Sequence, residues 1–250
     1  MDQTVAITGA TRGIGRAVAE AFVEAGAFVG VSGRDGDAVE STVAELNATA
    51  DDGPGGDDGP GDDDGPGGDA GSAWGMRVDV RDEYDLERFF EGVAREAGPI
   101  DVAFANAAVF HGAPGERPVD ELSYSGYDDT MRTNARGVFA TLREALPHLA
   151  DDARMIVPSG SVAAESKPGM GAYAVSKAAA EAVARGFAAD VKQTVGVVDP
   201  GLVATDLTGM ERARDPESVA PLFVWAATEA PAEELNGKRL GLREWKQATR

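Results

Sequence analysis

Short apolar runs alternate along this chain with stretches in which apolar residues recur every three or four positions. Val5-Ala6-Ile7 is too short for a helix and reads as a strand. Ile14, Ala17, Val18, Ala21, Phe22 and Ala25 follow at helical spacing. The alternation then repeats. Residues 28–31 predict a second strand, and Val39, Val43 and Leu46 a second helix. Residues 76–80 predict a third strand, and Leu86, Phe89, Phe90, Val93 and Ala97 a third helical stripe. Residues 102–104 predict a fourth strand. A long helix then carries Met131, Ala135, Val138, Phe139, Leu142, Leu146 and Leu149. Residues 155–157, 195–198 and 239–242 complete the strands, with helices over 171–190 and 216–229 between them. Repeated strand–helix units predict an α/β fold: a Rossmann-type, doubly wound parallel sheet of about seven strands, with helices on both faces. All of it fits a single domain over residues 1–250.

One segment has no apolar periodicity. Residues 49–72 hold eight Asp, nine Gly and three Pro, with no Lys or Arg, and repeat D-D-G-P-G from Asp51, Asp57 and Asp63. Such a stretch cannot bury enough surface to offset its ordering entropy, so it is expected to be a disordered surface loop. It does not fit a calcium loop, because Pro60 falls where the first ligand should be.

Charge and composition narrow the function. The chain carries 43 acidic and 23 basic residues, a net charge of −20, which disfavours nucleic acid and anionic membrane as partners. Only 5 of the 23 basic residues are Lys. Low Lys and high Asp suggest salt adaptation, because molar salt screens self-repulsion that would destabilise the fold in dilute buffer. Cysteine is absent, which removes thiolate nucleophiles and Cys-type zinc sites. His111 and His148 have no partner ligands in sequence, so no metal is expected. No apolar run is long enough to span a bilayer and no signal core opens the chain, so a cytoplasmic location is expected.

The chemistry begins at Thr8-Gly9-Ala10-Thr11-Arg12-Gly13-Ile14-Gly15, which joins the first strand to the first helix. Gly9 permits the sharp turn, Gly13 lets backbone approach a pyrophosphate, and Gly15 allows helix to pack on strand. The helix N-terminus then faces the anion, so a dinucleotide site is predicted. Cofactor choice turns on the end of the second strand, where an acidic residue would bind the ribose 2′-hydroxyl of NAD. Gly33 and Arg34 stand there instead, and Arg12 lies in the glycine loop. Two guanidinium groups suit a 2′-phosphate, so NADP(H) is favoured over NAD(H). The alternative gives Asp35 the NAD role one position late.

Tyr173 and Lys177 lie four apart on a predicted helix, hence on one face. An adjacent ammonium is expected to lower the phenol pKa toward the working range, making a proton donor and acceptor. The spacing T-G-x-x-x-G-x-G and the motifs that follow it in order resemble the short-chain dehydrogenase/reductase family. Those motifs are Asp79 in Val78-Asp79-Val80, Asn106-Ala107-Ala108, Thr133-Asn134-Ala135, Ser161, Tyr173-Ala174-Val175-Ser176-Lys177, and Pro200-Gly201 with Thr205. The resemblance covers nearly the whole chain apart from the insert and the basic tail 243–250. It implies that Asp79 contacts adenine, and that Asn106, Pro200, Gly201 and Thr205 also face the cofactor, together with Thr11 and Ile14 of the loop. It gives Ser161 the task of orienting the substrate oxygen and Asn134 that of holding a water in a relay to Lys177. Lys177 would also bond the nicotinamide ribose. Ser159 competes with Ser161, and the Ser161–Tyr173 separation of 12 is one shorter than the family's commonest spacing.

The expected function is hydride transfer between a nicotinamide and a carbonyl or secondary alcohol, with Tyr173 as general acid/base. A non-catalytic NADP-binding regulator on the same fold is the alternative. Resemblance also implies a homodimer or homotetramer.

Overall fold

The computed structural model describes residues 1–51, 71–165, 167–207, 209–210 and 212–250. The acidic repeat expected to be disordered falls on residues 52–70, outside the described residues. Its predicted edges belong to neighbouring elements, a helix ending at Asp51 and a strand beginning at Ser72.

Seven strands form one sheet: β1 (Thr4–Thr8), β2 (Phe28–Gly33), β3 (Ser72–Arg77), β4 (Ile100–Phe104), β5 (Leu149–Pro158), β6 (Thr194–Asp199) and β7 (Arg239–Gly241). All pairings are parallel, in the order β3-β2-β1-β4-β5-β6-β7. The order reverses between β1 and β4, and a crevice opens there beyond the strand carboxyl ends.

The two-residue strand period sorts side chains onto two cores. Val5, Ile7, Val102 and Phe104 point to one face, where Phe22 of α1 (Gly13–Glu24) and Phe223 of α7 (Pro216–Thr228) cover them. Phe104 meets Phe22 and Phe223 edge-on, with ring centres 5.9 and 6.4 Å apart. Ala6, Ala103, Met155 and Val157 point to the other face. There they meet Phe89 and Phe90 of α3 (Glu83–Ala97), Leu142 of α5 (Gly137–Ala145) and Ala180 of α6 (Gly171–Asp190). With α2 (Gly36–Asp51) on the first face, the sheet is covered on both sides, which is why its strands are apolar on both.

Three boundaries differ from the sequence pattern. β3 starts at Ser72, earlier than predicted, and ends at Arg77. Its burial is weak because it is the edge strand. The apolar signal came from Val78 and Val80, which lie past the strand and line the crevice. The long helix is α4 (Tyr124–Met131), a π-helical turn over Arg132–Arg136, and α5. It stops at Ala145, because Pro147 lacks the N–H to continue it, and a short 3-10 turn over Leu146–His148 leads into β5. Leu149, read as helical, is the first residue of β5. Finally, the tail forms α9 (Leu242–Ala248), whose Trp245 packs against the Phe22 core beyond α8 (Ala232–Leu235). No helix among the described residues is long and apolar enough to cross a membrane.

Candidate active site

The loop after β1 holds Gly9 and Gly13 at φ 69° and 55°, backbone that glycine adopts without strain. A Cβ on Gly9 would stand 2.8 Å from Ala107 Cα, and one on Gly15 2.3 Å from the Gly9 carbonyl oxygen. Asn106 closes the loop by donating from Nδ2 to the carbonyl oxygens of Thr8 and Gly9, at 3.0 and 2.8 Å. Thr8 Oγ1 donates to the Phe104 carbonyl at 3.0 Å and accepts from the Asn106 N–H at 3.1 Å. The connections after β1 and β4 are thus tied together where the strand order reverses.

Between them lies a cleft of about 350 Å³. Of the residues expected at the cofactor, Gly9, Thr11, Arg12, Gly13, Ile14, Gly15, Arg34, Asn106 and Thr205 line it. Asp79, Tyr173, Lys177, Pro200 and Gly201 are not among the lining residues. Two features fit a dinucleotide. The glycine cradle brings backbone to the cleft in a packing that a Cβ on Gly9 or Gly15 would break, and Arg12 makes no side-chain cap on α1, so the first N–H groups stay open. Thr133, in the cleft wall, has a buried hydroxyl with no hydrogen-bond partner among the described residues. A buried orphan hydroxyl costs free energy that a polar ligand would recover.

Arg12 and Arg34 both reach the cleft and are exposed; Arg12 makes a loose ion pair with Asp206 at 3.5 Å. The Asp35 carboxylate is engaged locally, accepting the N–H groups of Asp37 and Ala38 at the start of α2. Asp79 turns to Arg81, whose Nε and Nη2 donate at 2.6–3.0 Å and hold that carboxyl below its ordinary range. Arg81 also donates to Asp129 at 2.8 Å, and Asp129 meets His111 Nε2 at 2.8 Å. His111 is thereby anchored to α4.

The remaining residues gather beside the cleft wall. Asn134 sits in the π turn, a local widening that rotates its side chain inward. Its amide donates to the Val109 carbonyl and Ser176 Oγ and accepts the Val109 N–H, at 2.8, 3.0 and 2.8 Å. The side chain thus clamps the segment after β4 to α6. Phe110, next to cleft-lining Val109, packs edge-on against Tyr173 with ring centres 5.1 Å apart. Lys177 Nζ is 5.7 Å from the Tyr173 ring centre and donates to the Pro158 carbonyl at 2.9 Å.

The expected lowering of the phenol pKa is absent from this arrangement. Burial pushes Tyr173 up to about 12. The ammonium does not offset this, because it lies over the ring face and bonds Pro158, not the hydroxyl. Burial likewise pulls Lys177 down to about 8, opposed by the charge of Glu181.

Ser161 opens a 3-10 turn, and its Oγ accepts a 2.6 Å hydrogen bond from Lys167 Nζ. Ser159 points elsewhere and donates to Glu181 Oε1 at 2.7 Å. Glu181 is buried and also paired to Arg239 of β7, which reaches Asp199 at 3.6 Å. Sequence reasoning missed this network. Glu181 stands one turn beyond Lys177, the same four-residue step that pointed to the Tyr173–Lys177 pair, but nothing local marks Arg239. Among the described residues no cluster of three or more His, Asp or Glu is placed to hold a metal.

Comparison with known proteins agrees with this architecture. A family model described as short chain dehydrogenase matches residues 3–53, and one described as enoyl-(acyl carrier protein) reductase matches residues 67–230. The chain is 30% identical over 212 residues to a gluconate 5-dehydrogenase of Gluconobacter oxydans, covering 81% of this chain and 72% of that protein. A crystal structure of a dehydrogenase/reductase from Sinorhizobium meliloti superposes with a TM-score of 0.78 at 26% identity, over 96% of this chain and 92% of that one. An alcohol dehydrogenase from Thermococcus sibiricus, complexed with 5-hydroxy-NADP, gives a TM-score of 0.77 at 26% identity over 96% of both chains. With its glycine cradle, its parallel sheet and a family match across most of its length, the chain belongs to the short-chain dehydrogenase/reductase family.

Proposed function

We propose that this protein is an NADP(H)-dependent oxidoreductase that reduces a carbonyl, or oxidises the corresponding secondary alcohol, with Tyr173 as general acid/base. The observation that carries the reading is the position of Tyr173. Its ring packs on Phe110, one residue beyond the cleft wall, and Lys177 lies one helical turn further on.

The glycine cradle and the α1 N-terminus would hold the pyrophosphate, and Arg12 and Arg34 the 2′-phosphate. Asp35 is already committed to α2, which favours NADP over NAD. The solved archaeal relative with an NADP derivative bound supports the same choice. A bound nicotinamide supplies or accepts the hydride.

In the reducing direction the carbonyl carbon gains the hydride and its oxygen takes the Tyr173 proton. A phenol held at about 12 is protonated at neutral pH, the state a donor needs. In this arrangement the Lys177 ammonium faces the Tyr173 ring and the Pro158 carbonyl, so it would have to turn to the phenol oxygen to stabilise the phenolate left behind. Ser161 would orient the substrate oxygen. Asn134 holds α6 and the cleft wall in register, and it would hold the water of the relay to Lys177. Phe139 and Val175, exposed apolar side chains on α5 and α6, would be covered by a dimer or tetramer contact through those helices.

NADPH oxidation measured against a panel of ketones and aldehydes tests the reading. Wild-type protein should consume NADPH, and Tyr173→Phe should lose about 10²-fold or more in kcat. An equally active Tyr173→Phe would refute the assignment.

A further inference from the structure

Lys167 touches the hydroxyl that the proposed reaction uses. Its Nζ lies 2.6 Å from Ser161 Oγ and 3.0 Å from Glu165 Oε2. An ammonium has three donors and no acceptor, so Ser161 oxygen must be the acceptor in this bond. The Ser161 proton therefore cannot point at Lys167; it is shared with the Glu165 carboxylate, which this hydroxyl and the ammonium together hold below its ordinary range. A hydroxyl that accepts from a cation is also a stronger donor, because the two bonds polarise one another.

An exposed lysine is usually too mobile for such a contact to matter, and an exposed Lys–Glu pair contributes little. Here the backbone on either side is held. Pro168 restricts Lys167 to extended conformations. Gly169, at φ 68°, accepts the N–H groups of Gly115 and Arg117 at 3.1 and 3.0 Å. A Cβ on Gly169 would stand 2.1 Å from the Gly115 carbonyl oxygen, so the two loops are in direct contact. On the other side, the N–H of Glu165 donates to the Ser161 carbonyl at 2.9 Å. Glu165 thus accompanies Ser161 and orients the ammonium between them.

We propose that Lys167 is a positioning residue for carbonyl reduction, acting through Ser161. Its ammonium fixes the serine oxygen as acceptor and neutralises Glu165, so that the serine proton can pass from that carboxylate to the substrate oxygen. As hydride reaches the carbonyl carbon, negative charge grows on that oxygen, and the polarised Ser161 hydroxyl stabilises it until the Tyr173 proton arrives. The inference rests on the reductase reading above.

The test is a double-mutant cycle read in NADPH oxidation, with NADPH affinity from fluorescence titration as the structural control. Lys167→Met should lower kcat by about tenfold or more, with NADPH affinity within about twofold of wild type. Lys167→Arg should restore most of the lost rate, since it keeps a cationic donor. In the Ser161→Ala background, Lys167→Met should cost nothing further, because the group it acts through is gone. An unchanged kcat in Lys167→Met, or a drop that simply adds to that of Ser161→Ala, overturns the inference alone. A wild-type chain inert toward every carbonyl, or an active Tyr173→Phe, overturns the reductase reading and this inference with it.

Discussion

The Lys177 ammonium faces the Tyr173 ring at 5.7 Å from its centre, while its 2.9 Å hydrogen bond goes to the Pro158 carbonyl. The pair is therefore coupled through the ring face, and each side chain is tuned chiefly by burial. Lys177 should titrate near pH 8 in the cofactor-free protein, against 10.5 when unperturbed. Between those values the unfolded chain binds a proton that the folded one has released. Stability should therefore rise with pH across that window. Tyr173 acts oppositely, adding stability that is present below pH 10 and lost as pH climbs toward 12. With 5 lysines in the chain, carbon NMR of labelled lysine resolves the point. One ε-carbon should titrate near 8 and vanish in Lys177→Met. In Glu181→Gln its midpoint should fall further, because Glu181 opposes the depression. Five midpoints all above 10 would rule this out.

Asn134→Ala removes three hydrogen bonds, two to the Val109 backbone and one to Ser176. It also leaves partly buried backbone groups without partners. Unfolding in urea should show a loss of about 2–4 kcal/mol. Asn134→Asp keeps the acceptor for the Val109 N–H but turns a second oxygen toward the Val109 carbonyl, so it should be no better. A variant of wild-type stability would remove the clamp from the account.

Arg34→Asp should move cofactor preference toward NADH. Loss of a charge-assisted contact, with a like charge placed near the 2′-phosphate, should change the ratio of kcat/KM for NADPH and NADH by about tenfold or more. Asp35→Asn retains a capping side chain for α2 and should leave the ratio alone. The opposite pattern, with Asp35 decisive and Arg34 silent, would restore the NAD reading.

Much of this was legible in the sequence where the signal is local. Val5-Ala6-Ile7 and the Ile14–Phe22 spacing gave the first strand and helix, because side-chain period follows directly from backbone geometry. The glycine loop was legible because its three glycines occupy positions that need backbone freedom or room that only glycine has. Long-range pairings were not. Lys167 reaches Ser161, and Arg239 reaches Glu181, through contacts set by how loops and strands assemble. The pKa of Tyr173 was misjudged for the same reason. Helical spacing puts Lys177 on the correct face but does not show that its ammonium is drawn to the Pro158 carbonyl.

The charge of the chain predicts its response to salt. Net charge is −20; the eight Asp of residues 49–72 supply −8 of that, so −20 − (−8) leaves −12 elsewhere. Many of the carboxylates outside that stretch are exposed, Glu40, Glu87, Glu91, Asp120 and Glu121 among them. Salt weakens exposed ion pairs as well as repulsions, but exposed pairs contribute little to begin with. With an excess of one sign, relief of repulsion dominates. The Debye length falls from about 10 Å at 0.1 M to about 3 Å at 1 M salt, so most of the relief should arrive by 1 M. Melting temperature should climb steeply over that range of KCl, by roughly 10 °C, and flatten above it. A steady rise continuing to about 3 M would point instead to exclusion of salt from the protein surface. A melting temperature that stays flat from dilute buffer upward would show that the acidic surface is tolerated without salt, and the adaptation argument would fail.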